Sequence, residues 1–167
     1  MIIDSHCHLT YEPMSNALKE TIDRANKDGI KYMLTISTVD KSFEQILKIV
    51  NGYESVYGTY GIHPHEAKSH QHIQSDDIIN KVNQNKKIIG IGETGLDFYY
   101  NHSEKKDQIY SFEEHISASQ EKNLPLIVHT RSAEKETLQI LEKHSKKKKL
   151  RSLFIVLPDH ENSLLNY

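Results

Sequence analysis

Two histidines near the start of the chain, His6 and His8, are separated by one residue in the segment MIIDSHCHLT. Alternate side chains of a β-strand project from the same face, so a strand over residues 1–9 would place both imidazoles on one side. Two imidazoles held close together on a strand can bind a single divalent cation. The pair therefore raises the hypothesis of a metal site, which depends on further ligands at matching positions.

Three later segments carry imidazole or carboxylate groups at the ends of predicted strands. The segment GIHPHEA contains His63 and His65, GETGLD contains Glu93 and Asp97, and VHTR contains His129 and Arg131. Such ligands suit Zn²⁺, Mn²⁺ or Fe²⁺, and a carboxylate can bridge two ions with its two oxygens. Each residue also has a structural interpretation, since Asp97 could cap a helix and His129 could be a hydrogen-bonded core histidine. The recurrence of these groups at the ends of four strands favours one shared metal site.

The elements that would position these residues follow from hydrophobic periodicity. It predicts strands over residues 1–9, 30–37, 55–64, 87–97 and 124–130, and helices around 18–29, 43–50, 76–82, 103–122 and 132–144. This alternation implies an α/β fold with a parallel sheet. A doubly wound sheet is one alternative, but no glycine-rich phosphate loop follows the first strand. Chemistry at strand ends favours an incomplete TIM (β/α)8-type barrel of about five to six βα units, because a complete barrel needs about 250 residues.

The composition narrows the class of protein. The chain has 167 residues, a formal net charge of −2 and one cysteine. The charge argues against an extended basic nucleic-acid surface without excluding a local patch, and one cysteine excludes an intramolecular disulfide. No signal-peptide pattern or membrane-length apolar run is present, so we expect a cytoplasmic protein without a membrane partner. The remaining histidines are predicted to be solvated: His70, His72, His102, His115, His144 and His160.

Four segments, DSHCHLT, GIHPHEA, IGETGLDFYY and PLIVHTRSAEKET, resemble in order and spacing the signature segments of the TatD-type metal-dependent deoxyribonucleases. The resemblance runs from residue 1 to about residue 143 and implies a TIM barrel of the amidohydrolase-like superfamily. It implies that His6 and His8 bind a first metal, that Glu93 bridges two metals as the catalytic carboxylate, and that His129 binds the second metal. Supporting or substrate-binding roles follow for His63, His65, Asp97 and Arg131. The implied cofactors are two divalent cations (Mg²⁺, Mn²⁺ or Zn²⁺), and the implied reaction is phosphodiester cleavage in DNA.

The C-terminal segment departs from that family's pattern. The family continues with a sixth strand ending in H-C-F-[ST]-G and with a late aspartate, and neither is in SKKKKLRSLFIVLPDHENSLLNY. Back-translated in a shifted frame, residues 153–164 encode IHCFTGSREFA, and adenines would encode the preceding lysine run. We therefore divide the chain into residues 1–149, the N-terminal part of the barrel, and residues 150–167, an out-of-frame tail. Residues 150–157 are still predicted to form a sixth strand without a ligand, and His160 is not counted as a replacement.

Three functions compete at this point. The first is a TatD-like metal-dependent hydrolase, a deoxyribonuclease whose activity in this chain is impaired by truncation because each metal loses one ligand. The second is another amidohydrolase-type enzyme acting on C–N or ester bonds, which the G-E-x-G-L-D segment fits less well. The third is a non-catalytic gene remnant that is unstable or only binds a partner. The sequence leaves the oligomeric state open.

Overall fold

The computed structural model describes residues 1–146 and 148–156. Its strands are β1 (Ile2–Cys7), β2 (Ile30–Thr35), β3 (Val56–Tyr60), β4 (Ile88–Asp97), β5 (Leu126–Arg131) and β6 (Ser152–Val156). Its helices are α1 (Leu18–Lys27), α2 (Phe43–Gly52), α3 (Ser75–Val82), α4 (Lys105–Lys122) and α5 (Glu134–Ser145). The predicted alternation is confirmed, and so is a sixth strand over Ser152–Val156. Residues 157–167, including His160, lie outside the described part of the chain.

The six strands form one sheet in the order β1-β2-β3-β4-β5-β6, and every neighbouring pair is parallel. This sequential order is that of barrel strands, whereas a doubly wound sheet reverses its direction at a switch point. The structure is therefore an incomplete TIM-type barrel, as predicted. Because all the strands are parallel, their carboxyl ends lie at one edge of the sheet, where barrel enzymes carry their active sites.

One face of the sheet is covered by helices. Met33, Val56 and Ile88 occupy this face and are buried in the apolar core. Gly58 lies among them, and side chains of Ile46 and Val50 from α2 fill the space beside its Cα atom. Complete burial of each such aliphatic side chain contributes about 1.5–3 kcal/mol to folding. This packing fixes the strands relative to the helices and so fixes the edge that carries the polar residues.

The opposite face of β1–β4 exposes apolar side chains near the amino-terminal half of the strands. Ile3, Tyr32 and Ile89 are 54%, 42% and 39% exposed, respectively. With neighbouring residues they line an apolar cavity of about 250 Å³. This cavity contains none of the residues singled out for chemistry, so the polar and apolar parts of the open face are separate.

The histidines outside the four motifs do not share one environment. Those that are exposed, as predicted, are His72 and His102, whereas His70 and His144 are partly buried. The prediction of a solvated side chain is wrong for His115, which is 1% exposed within α4.

The sequence also predicts that the chain has no membrane-spanning segment. Within residues 1–146 and 148–156, no helix combines the length and apolar character required to cross one.

Strand β4 departs from regular geometry around Glu93. Its pairing with β5 shifts register between Ile91 and Thr94. Gly92 and Gly95 have φ values of +130° and +138°, which residues other than glycine rarely adopt. A Cβ atom on Gly95 would lie 2.0 Å from the carbonyl oxygen of His129. The two glycines thus allow β4 to pass close to β5 where the register shifts around Glu93.

We expect Gly95→Ala to lower the free energy of unfolding by at least about 2 kcal/mol, because strained φ and a backbone clash act together. Gly52→Ala is the matched control, since nothing lies within 4 Å of the Cβ that it would add at the end of α2. Denaturant titration of both variants measures the difference. Equal stability of the two variants would contradict this description of β4.

Candidate metal centre

All eight residues singled out in the sequence line one pocket of about 510 Å³ at the carboxyl edge of the sheet. His6 and His129 belong to β1 and β5, and Glu93 lies within β4. His63 follows β3 and begins a 3-10 helix at Pro64–His70. Side chains from separate strands therefore meet in one pocket. The packing of a parallel sheet does not by itself require this convergence.

The first group within this pocket consists of His6, His8 and Glu93. The Nε2 atoms of His6 and His8 lie 3.1 Å apart. The Oε2 atom of Glu93 lies 3.5 Å from Nε2 of His6 and 3.9 Å from Nε2 of His8. Zn–N bonds of about 2.0–2.1 Å in a tetrahedron place two ligand nitrogens about 3.3 Å apart. Burial lowers the pKa of His6 despite the nearby carboxylate of Glu93, so its imidazole is neutral near pH 7. The group has the spacing that a divalent cation needs, and the neutral imidazole of His6 can offer it a lone pair.

The second group is formed by Glu93, His129 and His63, whose potential ligand atoms also lie within 4.8 Å of one another. The Nδ1 atom of His129 is 3.1 Å from Oε1 of Glu93. Its Nε2 atom is 3.2 Å from Oδ2 of Asp97. Each ring nitrogen of His129 therefore faces a carboxylate, and an ionised carboxylate only accepts hydrogen bonds. In the tautomer whose Nε2 donates to Asp97, the Nδ1 atom could share a cation with Oε1 of Glu93.

His63 occupies this group in a particular protonation state. Its Nδ1 atom accepts a hydrogen bond of 3.2 Å from the backbone N–H of His65 and caps the 3-10 helix. A neutral His63 must then carry its proton on Nε2, which lies 3.2 Å from Nδ1 of His129. Burial, aided by the nearby imidazole of His129, lowers the pKa of His63 to about 3. His63 thus faces the pocket as a hydrogen-bond donor, and ligation through Nε2 would require it to give up the cap.

Glu93 connects the two groups. Its Oε2 atom is directed to His6 and His8, and its Oε1 atom to His129 and His63. The residue is only 5% exposed. Burial opposes ionisation, but the hydrogen bond with His129 and the surrounding imidazoles hold the pKa of the Glu93 carboxyl below its usual range. This arrangement would allow the Glu93 carboxylate to bridge two cations.

Asp97 contacts the second group through His129. Its Oδ2 atom accepts from Nε2 of His65 at 2.8 Å as well as from His129, and its Oδ1 atom accepts from the backbone N–H groups of Tyr99 and Tyr100. Burial opposes its charge, but the N–H of Tyr100 and the imidazole of His65 hold the pKa of Asp97 below its usual range. A carboxylate that fixes the tautomer of a histidine is a common support of metal-binding imidazoles.

Arg131 forms a further part of the pocket wall and is only 7% exposed. Its Cζ atom lies 4.3 Å and 4.5 Å from the ring centroids of Tyr99 and Tyr100. Among the described residues its buried Nε atom has no hydrogen-bond partner. A fixed cation of this kind, only partly hydrogen-bonded at a pocket lining, suits an anionic ligand.

Two residues with clear contributions to the site were not singled out in the sequence. In α4, Nδ1 of His115 donates to the carbonyl of Ser111 at 2.7 Å, and its Nε2 accepts from the backbone N–H of Ile62 at 3.1 Å. His115 therefore fixes the backbone directly before His63. Tyr11 is the second residue, with its ring stacked on His8 at a centroid distance of 5.0 Å. The apolar neighbours Phe112 and Ile116 were the sequence signal for a buried His115, whereas Tyr11 had none.

Comparisons with known proteins agree with this description. A family model described as TatD related DNase matches residues 3–156. An uncharacterized metal-dependent hydrolase of Buchnera aphidicola is 35% identical over 151 residues, covering 87% of this chain and 56% of the relative. The 3'-5' ssDNA/RNA exonuclease TatD of Salmonella typhimurium is 30% identical over 141 residues, covering 84% and 54%. A hydrolase TatD family protein of Entamoeba histolytica superposes with a TM-score of 0.79 at 21% identity, covering 87% and 55%, and supports the fold.

The chain is similar in sequence to proteins named metal-dependent hydrolases, and it shares its fold of barrel strands with a solved member of the same family. More specifically, the chain belongs to the TatD-related DNase family. It spans a little over half the length of the curated relatives it matches. The first of the three functional hypotheses is thereby favoured at the level of the family. The division of the chain near residue 150 stays a prediction, and the family match extends to residue 156.

The buried His115 predicts a specific dependence of stability on pH. Burial lowers its folded pKa to about 4 from an ordinary 6.5, so its contribution to stability is complete above pH 6.5 and is lost as the pH falls toward 4. We expect the difference in unfolding free energy between wild type and His115→Gln to shrink by about 3 kcal/mol over that window. Denaturant titrations in a metal chelator measure it. His72→Gln, at an exposed histidine, should show no such change, and parallel profiles for His115→Gln would contradict the assignment.

Proposed function

We propose that this protein is a divalent-metal-dependent phosphodiesterase that cleaves single-stranded nucleic acid, with DNA as its substrate. The observation that carries the proposal is the orientation of Glu93, which presents one buried oxygen to His6 and His8 and the other to His129. Two sets of imidazoles around one carboxylate match the requirements of a two-metal hydrolytic site. The relative from Salmonella typhimurium, named a 3'-5' ssDNA/RNA exonuclease, supports the choice of substrate.

His6, His8 and Glu93 would hold the first cation, and Glu93 with His129 would hold the second. Bound cations of this kind polarise phosphoryl oxygens and lower the pKa of water, which makes hydrolysis accessible at neutral pH. The second position has fewer ligands among the described residues. Strand β6 reads SLFIV over Ser152–Val156, with Ile155 as the partner of His129, and it offers no imidazole or carboxylate. We therefore expect one cation to bind more tightly than the other and the activity of this chain to be low.

The chain's own residues provide the substrate side of the site. The proton on Nε2 of His63 and the guanidinium of Arg131 are donors that a phosphodiester oxygen can accept. Both residues line the same pocket as Glu93. The rings of Tyr99 and Tyr100 hold the guanidinium of Arg131 in place. These groups would bind and orient the phosphate while His65 and Asp97 maintain the arrangement of His129.

Glu93→Gln tests the proposal because the amide is similar in size but lacks the charge that both cations require. We expect it to lower metal affinity at both positions and to reduce cleavage of a single-stranded oligonucleotide at least about 100-fold. Glu44→Gln, at an exposed position in α2, is the control and should behave like wild type. Calorimetric titration with Mn²⁺ or Zn²⁺ and gel-based cleavage are the measurements. Metal-dependent cleavage that survives in Glu93→Gln would refute the proposed site.

Asp97→Asn tests the support of the second cation position separately. The amide can still accept a hydrogen bond but no longer stabilises the His129 tautomer with a charge. We expect affinity at the weaker metal position to fall about 10- to 100-fold while the tighter position changes little. Asp76→Asn, at an exposed residue of α3, serves as the control in the same titration. An equal loss at both positions would show that Asp97 acts on the whole fold instead.

A further inference from the structure

Tyr11 is an aromatic residue held rigidly beside the metal centre. Its ring lies nearly parallel to that of His8, with an interplanar angle of 16°. Its hydroxyl forms a hydrogen bond with Oγ1 of Thr38. The backbone is fixed as well, since the N–H of Tyr11 donates to the carbonyl of His8 at 3.0 Å and the carbonyl of Tyr11 accepts from Ser15 at 2.9 Å. Ring and backbone are thus fixed before any ligand binds.

In spite of these contacts, Tyr11 is 45% exposed. His8 covers one face of the ring, and Tyr11 lines the pocket that contains Glu93. The accessible surface of the ring therefore adjoins the site where a phosphodiester would bind. A core tyrosine would bury this surface, and a residue that only supports His8 would not need to present it to the pocket.

We propose that Tyr11 is a nucleobase-stacking residue, which holds the base next to the scissile phosphate on the side of the pocket formed by β1. This inference rests on the proposed function and deepens it. Unpaired bases expose their π-faces and stack on aromatic side chains of single-strand-binding proteins, whereas paired bases are already stacked within a duplex. A ring that is fixed in advance loses little conformational freedom on binding. Tyr11 would thus favour unpaired nucleotides and align the backbone over the cations.

The opposite wall has a different character. Tyr100, 48% exposed, also lines the pocket, but the guanidinium of Arg131 lies against its ring and His102 stacks on it at 5.7 Å. Both tyrosine rings stack on an imidazole, but only the Tyr100 ring also contacts a guanidinium, which suits a phosphate better than a base. This asymmetry assigns base stacking to Tyr11 and phosphate binding to the side of Arg131.

The test compares two fluorescein-labelled single-stranded dodecamers, oligo(dA) and an abasic oligomer with the same phosphates. Binding is measured by anisotropy with Ca²⁺ at low temperature, and gels verify that the oligomers stay intact. We expect Tyr11→Leu to weaken binding of oligo(dA) about tenfold and to leave binding of the abasic oligomer unchanged. Tyr11→Phe should retain the preference for bases because the ring remains. Tyr110→Leu, at a tyrosine 38% exposed on α4 outside the pocket, should behave like wild type.

An equal loss for both oligomers would overturn the proposal, because Tyr11 would then act only through His8 or the fold. The absence of any loss, or of any preference for bases in wild type, would overturn it as well. The proposed function fails on a different observation, namely the absence of metal-dependent cleavage of oligo(dA) by wild type. Since base-dependent binding is measured without turnover, the two failures are distinguishable.

Discussion

The structure depends on one electrostatic constraint, the buried negative charge of Glu93. An ionised carboxylate that is only 5% exposed costs several kcal/mol unless positive charge compensates it. Burial lowers the pKa values of His6 and His63, so these two imidazoles supply little positive charge near pH 7. A divalent cation held between Glu93 and the neighbouring imidazoles would supply the compensating charge. The charge balance of the pocket therefore favours a bound cation.

The backbone around Glu93 adopts a conformation that requires glycine on both sides of the residue. Gly92 and Gly95 adopt positive φ on either side, and a Cβ atom on Gly61, which directly follows β3, would lie 2.3 Å from the Cα atom of Gly92. Strands β3, β4 and β5 therefore approach one another more closely here than side chains would allow. This close approach explains the G-x-G-E-x-G pattern of β4. The glycines permit the strands to come close together, and Glu93 lies at the point where they do. The apolar layer beneath, with Ile91 and Val128 fully buried, holds the strands in place.

The sequence predicted the strands, their parallel order and the set of residues at their carboxyl ends, because hydrophobic periodicity and the βα alternation are local signals. It did not predict what depends on tertiary contacts of single residues. The apolar neighbours of His115 indicate its burial, but no pattern in α4 reveals its hydrogen-bond partner in another segment, the backbone N–H of Ile62. The position of Tyr11 depends on a turn after β1 that brings its ring over His8. The protonation state of His63 depends on a cap formed by the N–H of His65.

That cap determines how the two halves of the site differ. On the β1 side, His6 and His8 present their Nε2 atoms to Glu93 at 3.5 Å and 3.9 Å. On the β5 side, His129 is oriented by Asp97, but the adjacent His63 is committed through its Nδ1 atom to the start of the 3-10 helix. As long as the cap persists, the Nε2 proton of His63 is available to a phosphate oxygen and its lone pair is unavailable to a metal. A single backbone hydrogen bond therefore favours the proposed substrate-binding role of His63, and in that proposal the second cation depends on Glu93 and His129.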